Sequence, residues 1–542
     1  VPSEKDNNNY ASSAWSPLYR PFFRALWIAN LVSLTGTWMH EVGTAWLMTS
    51  LTMSPFTVSL IQTATTLPIF FVALPAGALA DIVDRKRLLL FTQMWMLLVA
   101  LCLGITTLAG YVSPPVLLFF VFILSLGAAI NGPAWQAIIP ELVSREEMPS
   151  AVTLGSVGFN IARAIGPALG GFVVSLVGPG FTFLLNAISF CGVVIVLTRW
   201  HRVPQESTLP TERLIGAMRT GLRYVRNAPR VQAVLVHTLV FSVFTCALWA
   251  FLPIVAREHL HVNSLGYGML LGFFGSGALL GAYLIPRIKS KFSLNNIVVG
   301  TTMLMAFTIA GLATVRSFIM VLAIMTAGGI AWLILISVFS IAVQAVIPSW
   351  VRGRVLSVFM LVFFGGFAGG SMLWGFLAVM IGIPFTLGGV SILLLIAIVL
   401  IQKYKLPTGE DLDLTPVQQL PSYLDAKGIT NEERPVLVVI ERKIEYGHED
   451  KFLEAVRPLK MLRLRDGAIR WNLFRDITDP SHFIESFIVE SWIEYLRQHE
   501  RFTVSDREIE GRVDAFSAHD APPETHHYIA EQIVKGEAEF IK

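Results

Sequence analysis

Twelve separate stretches of this chain are apolar for long enough to cross a lipid bilayer as a helix, and nothing else in the sequence restricts its fold as severely. A span needs about 20 mostly apolar residues, and only a helix satisfies its own backbone amides in hydrocarbon. The stretches lie near 22–50, 56–80, 88–111, 115–140, 150–177, 181–199, 231–256, 264–286, 295–315, 317–347, 354–380 and 384–402. An even number returns the chain to the side on which it starts. The expected fold class is an all-α membrane protein of twelve transmembrane helices in two six-helix halves, followed by a C-terminal α+β domain in water.

Charge decides the orientation and marks the end of the membrane part. The loops on the side of the termini carry sixteen Lys and Arg, among them Arg85, Lys86, Arg87, Arg287, Arg352 and seven arginines between Arg199 and Arg230; the opposite loops carry Arg257 and Arg316 alone. Basic loops stay in the cytoplasm, so a multi-pass protein of the bacterial cell (inner) membrane is expected, with both termini cytoplasmic. Residues 1–402 hold 22 Lys+Arg and 11 Asp+Glu, whereas residues 403–542 hold 19 and 27. The organisation predicted is an N-terminal tail 1–20, a first half 21–199, a connecting segment 200–230, a second half 231–402, a linker 403–433 and a soluble domain 434–542. In the connecting segment Leu214, Met218, Leu222 and Val225 recur at helical spacing between arginines. This fits an amphipathic helix at the membrane surface and, equally, a basic loop.

Internal repetition supports the two halves. QAIIP at 136–140 returns as QAVIP at 344–348, each closing a hydrophobic stretch before an arginine-bearing loop, and each half has a later glycine-rich helix, GPALGG at 166–171 and GGFAGGSMLWG at 365–375. Parallel repeats of six helices are a transporter design.

The acidic tail alternates strand and helix patterns in the order β-α-β-β-α-β, a ferredoxin-like plan. Cys102, Cys191 and Cys246 lie inside apolar runs without metal spacing, and no phosphate loop occurs. No cofactor, no metal site and no catalytic residue is expected. The negative tail and the orientation-dictated placing of the basic residues exclude a nucleic-acid role.

After the second stretch comes GALADIVDRKR, in which Gly77, Asp81, Arg85 and Arg87 stand at set spacing; the fifth stretch contains NIARAIGPALGG, with Gly166, Pro167, Gly170 and Gly171. These resemble the signature loop and the exporter glycine–proline motif of the major facilitator superfamily, and the region 20–402 looks like its bacterial siderophore and macrolide exporters. Asp84 stands where that loop usually has glycine, and Ala162 where the second motif has another glycine. The tail is similar to the ferredoxin-like domains of antibiotic-biosynthesis monooxygenases. The resemblance implies alternating access, a gating role for those eight residues, and a cavity walled by the first, fourth, seventh and tenth helices.

Ionisable groups inside spans are functional suspects. They are His40 and Glu41 in the first helix and Arg163 in the fifth. The expectation is that Glu41, with His40, takes up a proton while Arg163 fixes a positive charge in the cavity. The polar and aromatic groups expected along the pathway are Asn131, Trp135, Gln136, Asn160, His237, Trp249 and Gln344, together with Asn30, Thr245, Trp332 and Ser337. Apolar walls with a few polar groups suit a medium-sized amphipathic ligand. The function predicted is proton-driven efflux of such a molecule, in contact with lipid, substrate and protons and able to dimerise through the tail. The alternatives are a transporter whose tail modifies the substrate and a membrane-anchored ligand sensor.

Overall fold

The structure is a computed structural model that describes residues 15–144, 146–200, 214–409, 412–415, 417, 434–518 and 522–531, without the side chains of 73–74, 77–82, 214–218 and 500. The first half contains α1 (Pro21–Leu51), α2 (Pro55–Ile82), α3 (Arg85–Leu108), α4 (Pro114–Leu142), α5 (Met148–Val177) and α6 (Pro179–Thr198). A shorter helix, α7 (Leu214–Arg226), precedes α8 (Pro229–Ile254), α9 (Ser264–Lys289), α10 (Leu294–Thr314), α11 (Phe318–Ala345), α12 (Arg352–Ile381) and α13 (Ile383–Ile401). The tail continues as β1 (Val436–Lys443), α14 (Glu449–Asp466), β2 (Ala468–Arg475), β3 (His482–Val489), α15 (Trp492–Arg501), α16 (Val504–Asp514) and β4 (Glu524–Ile529).

Local chemistry sets the helix ends. Proline occupies the first position of α1, α2, α4, α6 and α8, where its missing N–H costs nothing and its φ suits a helix. Side-chain caps start others: Asp84 accepts from the Arg87 amide at α3, Asn263 from Gly266 at α9, and Ser293 from Asn296 at α10. The departure of Asp84 from the family pattern thus has a structural use as an N-cap. Gly178 between α5 and α6 and Gly382 between α12 and α13 both adopt positive φ, 91° and 83°. The same left-handed turn therefore joins the last two spans of each half, a second mark of duplication.

Among the described residues, eleven helices are long and apolar enough to cross a membrane. The twelfth span, α1, is 31 residues long but more polar, and it packs along α5 and α6 inside the first half. The polarity that sets α1 apart comes from residues such as Asn30, Thr37, His40 and Glu41.

By contact density the chain divides into two compact units. The first consists of residues up to Leu214 with Leu235–Ile341 and Phe359–Lys405; the second consists of Ile215–Val234, Ala342–Val358 and Leu406–Lys542. Within the first, α5 packs against α9, and α10 against α13. The two halves meet where side chains vanish. A Cβ at Gly275 would come 2.8 Å from the Arg163 carbonyl, one at Gly268 would strike the Pro167 carbonyl, and Gly171 faces Gly268 directly. Small residues allow such backbone approach between membrane helices. Ser264 Oγ donates to the Gly171 carbonyl at 3.1 Å, and Thr63 Oγ1 to Ala368 at 3.1 Å. Gly375 on α12 faces Ser59 and Phe56 on α2. These contacts join α5 to α9 and α2 to α12.

The second unit is an α+β domain with additions. Its four-stranded antiparallel sheet has the order β2-β3-β1-β4, that of the expected ferredoxin-like plan, with the second helix broken into α15 and α16. Val436, Val438, Phe487 and Val489 on the inner face bury against Trp492 and Tyr495, while Phe452, Leu459 and Leu462 of α14 close the other end. The outer face keeps Leu437, Phe474 and Tyr528 exposed. The same unit contains α7 and the α11–α12 connection. Tyr224 of α7 is 2% exposed and meets Trp350 edge-on at 5.7 Å, while the Arg501 guanidinium lies 4.5 Å over the Trp350 ring. Residues 201–213 lie outside the described residues; α7 fulfils the helical reading of the rest of the connecting segment.

Candidate functional site

Adjacent residues on a helix point about 100° apart, and this separates His40 from Glu41. His40 is 4% exposed, tilts against Phe183 of α6 at 4.6 Å, and has no hydrogen-bond partner at either ring nitrogen. Glu41 is accessible and interacts electrostatically with Arg163 of α5 and with Tyr267 of α9. His40 packs on Phe183, about 100° round α1 from Glu41, and Glu41 and Arg163 interact electrostatically.

Arg163 is 7% exposed, and its guanidinium lies 6.0 Å from the Trp38 ring and 5.5 Å from the Phe274 ring. Aromatic faces attract a cation electrostatically, so the arginine is held by rings and its Nε remains without a hydrogen-bond partner. Phe274 also meets Trp249 edge-on at 5.1 Å, and the Trp249 indole N–H is buried without a partner. Leaving a buried donor unsatisfied costs about 1–3 kcal/mol. Both donors, Arg163 Nε and Trp249 Nε1, thus lie beside the Phe274 ring.

Beyond Phe274 an aromatic cluster continues into the second half. Trp332 touches Phe241 at 5.3 Å, Trp249 at 5.6 Å and Phe367 at 5.7 Å. The Arg257 guanidinium lies 5.6 Å over Trp46 and its Nη1 donates to Thr49 Oγ1 at 3.3 Å. Trp46 in turn stacks on Tyr267 at 6.1 Å. Arg257 belongs to a π-helical turn, Val255–His259, that ends α8. These contacts link Trp46, Arg257 and Tyr267 on one side, and Phe274, Trp249 and Trp332 on the other, with the Arg163 guanidinium against Phe274.

The other pathway residues divide. Asn131 accepts from Thr92 Oγ1 at 2.9 Å and from Gln93 Nε2 at 3.3 Å, which turns it towards α3. Trp135 packs with Leu89, Ile138 and Val193 in the core of the first half. Gln136 is exposed on α4; Asn160 on α5 is half-buried, and its Nδ2 donates to the Ser156 carbonyl at 2.8 Å. His237 lines a separate pocket with α10 and α13 residues. Gln344 falls in the second unit.

The gating residues also rearrange. Arg85 Nη1 donates to Glu141 at 2.8 Å and to the Ala137 carbonyl at 3.1 Å, so this arginine ties α3 to α4 inside one half. Gly77 and Asp81 lie in the last turns of α2, among the residues described by backbone alone. Arg87 supplies its amide to the Asp84 cap. Gly166 backs on to Trp38, Gly170 on to Met39, and Pro167 and Gly171 form the α9 crossing.

Sequence reasoning did not reach Trp38, Phe274, Tyr267 or Trp46. One signal was available: Gly268, Gly272 and Gly275 recur on one face of α9, a stripe that marks close helix contact and so points to the helix that meets Arg163.

In the second unit, Glu485 is 1% exposed beneath the sheet and bonds Arg442 at 2.6 Å, Arg463 at 3.3 Å and the Trp471 indole at 3.0 Å. Burial works against its charge, yet Arg463 and Arg442 prevail and hold its carboxyl below the usual range. His527 meets the Tyr495 hydroxyl at 2.7 Å, and His526 stands nearest Glu524, so the two neighbours face opposite ways. Among the described residues no group of His, Cys, Asp and Glu could hold a metal ion.

A family model described as transmembrane secretion effector matches residues 12–534, the tail included. The staphyloferrin A transporter of Staphylococcus aureus is 22% identical over 61% of this chain and 84% of that protein. The multidrug efflux pump Tap of Mycolicibacterium fortuitum is 24% identical over 71% of this chain and 96% of its own. Among solved structures, a bacterial homologue of the human lysosomal transporter Spinster, inward-facing and unoccupied, superposes with a TM-score of 0.56 at 13% identity, covering 71% of this chain and 96% of that one. A POT family transporter in complex with a thioalcohol-conjugated peptide gives 0.59 at 15% identity, covering 70% and 95%. The solved structures match in fold.

Proposed function

Because the chain belongs to the transmembrane secretion effector family of the major facilitator superfamily, and is thus a multi-pass membrane transporter, we propose that it exports a small amphipathic molecule in exchange for protons by alternating access. The observation that carries this reading is the array Glu41, Arg163, Phe274 and Trp249. A carboxyl coupled electrostatically to a guanidinium can release its proton and leave a carboxylate stabilised by that positive charge. The ligand suited to the array has an aromatic or apolar body for the Trp332 cluster and an acceptor or anionic group for Arg163 Nε and Trp249 Nε1. The names of the relatives, an efflux pump and a siderophore transporter, agree with export. The charge asymmetry of the loops supports a cytoplasmic placing of both termini.

For the tail we propose an accessory role rather than catalysis. Its interior is filled by the Arg442–Glu485–Arg463 network, and its exposed sheet face, with Leu437, Phe474 and Tyr528, suits pairing with the tail of a second copy.

The test is uptake of labelled amphipathic compounds into inverted membrane vesicles energised by a proton gradient. Uptake abolished by a protonophore supports the reading. Uptake indifferent to the gradient removes the proton coupling, and binding without uptake leaves a sensor.

A further inference from the structure

A pocket remote from Glu41 in the sequence of helices opens between α8, the start of α10 and the end of α13. It holds about 480 Å³, and its polar rim is formed by Asn295, Asn296, Gln402 and Lys405. Asn295 and Asn296 lie in the first turn of α10, behind the Ser293 cap. The positive dipole end of that 21-residue helix favours an anion. Lys405 adds a full positive charge, and among the described residues no carboxylate lines the pocket, so its charge favours an anion.

Beside the polar groups the lining is apolar: Val298 and Ile398 are buried, Gly300 is exposed, and nothing lies within 4 Å of where a Cβ on Gly300 would stand. Open space thus lies against α10 next to the polar groups. Next to it on α13, Val399 and Leu400 are 61% and 65% exposed, as side chains facing lipid are. An anion-binding rim at the end of the spans beside an apolar wall matches one ligand chemistry, an acidic headgroup carrying an acyl chain. Basic pockets between membrane helices hold such headgroups. We infer that this pocket is a binding site for an anionic phospholipid, its headgroup at Lys405 and the start of α10 and one chain along Gly300.

The pocket also touches the aromatic cluster. His237 on its wall lies 6.3 Å from Phe339, which meets Phe241 at 5.7 Å, the neighbour of Trp332. An occupant therefore packs against the same helix, α8, that carries Trp249.

The experiment is native mass spectrometry and thermal unfolding of the full chain from nanodiscs of phosphatidylcholine, with or without phosphatidylglycerol. The wild type is expected to retain phosphatidylglycerol selectively and to be stabilised by it. Lys405→Gln is expected to weaken that retention about fivefold, the loss of one interfacial cation. Gly300→Leu fills open space, so its fold is kept while retention is lost. Equal retention of both lipids by the wild type, or undiminished selectivity in both variants, overturns the assignment. Stabilisation by water-soluble glycerol phosphate equal to that by phosphatidylglycerol overturns it as well, since the ligand is then a soluble anion.

Discussion

The guanidinium of Arg223 on α7 bonds the carboxylate of Glu494 on α15 at 3.1 Å, with 17% and 11% of the two side chains exposed. A helix that lies between the halves in sequence is thereby fastened to the C-terminal domain. Glu494 is shared with Arg501 at 2.6 Å, and a second pair, Arg219 with Glu490 at 3.0 Å, flanks it. Because the carboxylate keeps Arg501, losing Arg223 costs less than breaking an isolated buried pair. Arg223→Glu is expected to destabilise the second unit by about 2 kcal/mol, since it places a like charge beside Glu494. Arg223→Glu combined with Glu494→Arg is not an equivalent exchange, because Arg501 then faces an arginine. The coupling energy from the double-mutant cycle, read by thermal unfolding, should exceed about 0.5 kcal/mol; independent additive effects count against the tie.

Glu41→Gln keeps the size of the side chain and removes its charge. Gradient-driven transport should fall by at least about tenfold, equivalent to ~1.4 kcal/mol, while the protein remains in the membrane. His40→Gln, about 100° round α1 and packed on Phe183, should leave coupling intact. Transport assays in vesicles at matched protein levels separate the two.

The crossing of α5 and α9 tolerates no side chain. Gly268→Val presses on the Pro167 carbonyl and Gly275→Val on that of Arg163, and each should cost about 1–3 kcal/mol by overpacking and slow transport. Gly132→Ala, where nothing lies within 4 Å, serves as the comparison and should be neutral or mildly stabilising. Unfolding temperatures of the three variants check this.

The Glu485 network makes the tail acid-sensitive. Its carboxyl is held below the usual value in the folded state, so the stabilisation is present above the unfolded value, about 4.3, and is lost as pH falls through the folded one. Asp466 and Asp514, raised chiefly by burial, act with the opposite sign and are relieved by acid. Protection of β3 amides against hydrogen exchange should hold between neutral pH and about pH 5 and decline below about pH 4. Glu485→Gln leaves Arg442 short of charge compensation and should cost about 3 kcal/mol at neutral pH, flattening the acid limb.

Hydrophobic length is a local property, and for that reason the membrane-spanning helices, the two halves and the α+β character of the tail were legible from the chain alone. Arg163 and Glu41 also stood out, because a charge inside an apolar run is conspicuous wherever it points. What lay beyond local pattern was the rotation of each helix about its axis. Only packing decides that His40 turns to Phe183 while Glu41 turns to Arg163, that Asn131 is spent on Thr92 and Gln93, and that Arg85 bonds Glu141 within its own half. The rings that hold Arg163, Trp38 and Phe274, belong to different halves, and no periodicity links residues so far apart in sequence. The union of the tail with α7 and the α11–α12 connection has the same origin: it rests on pairs such as Arg223 and Glu494, whose charges say nothing of their partners until the backbone brings them together.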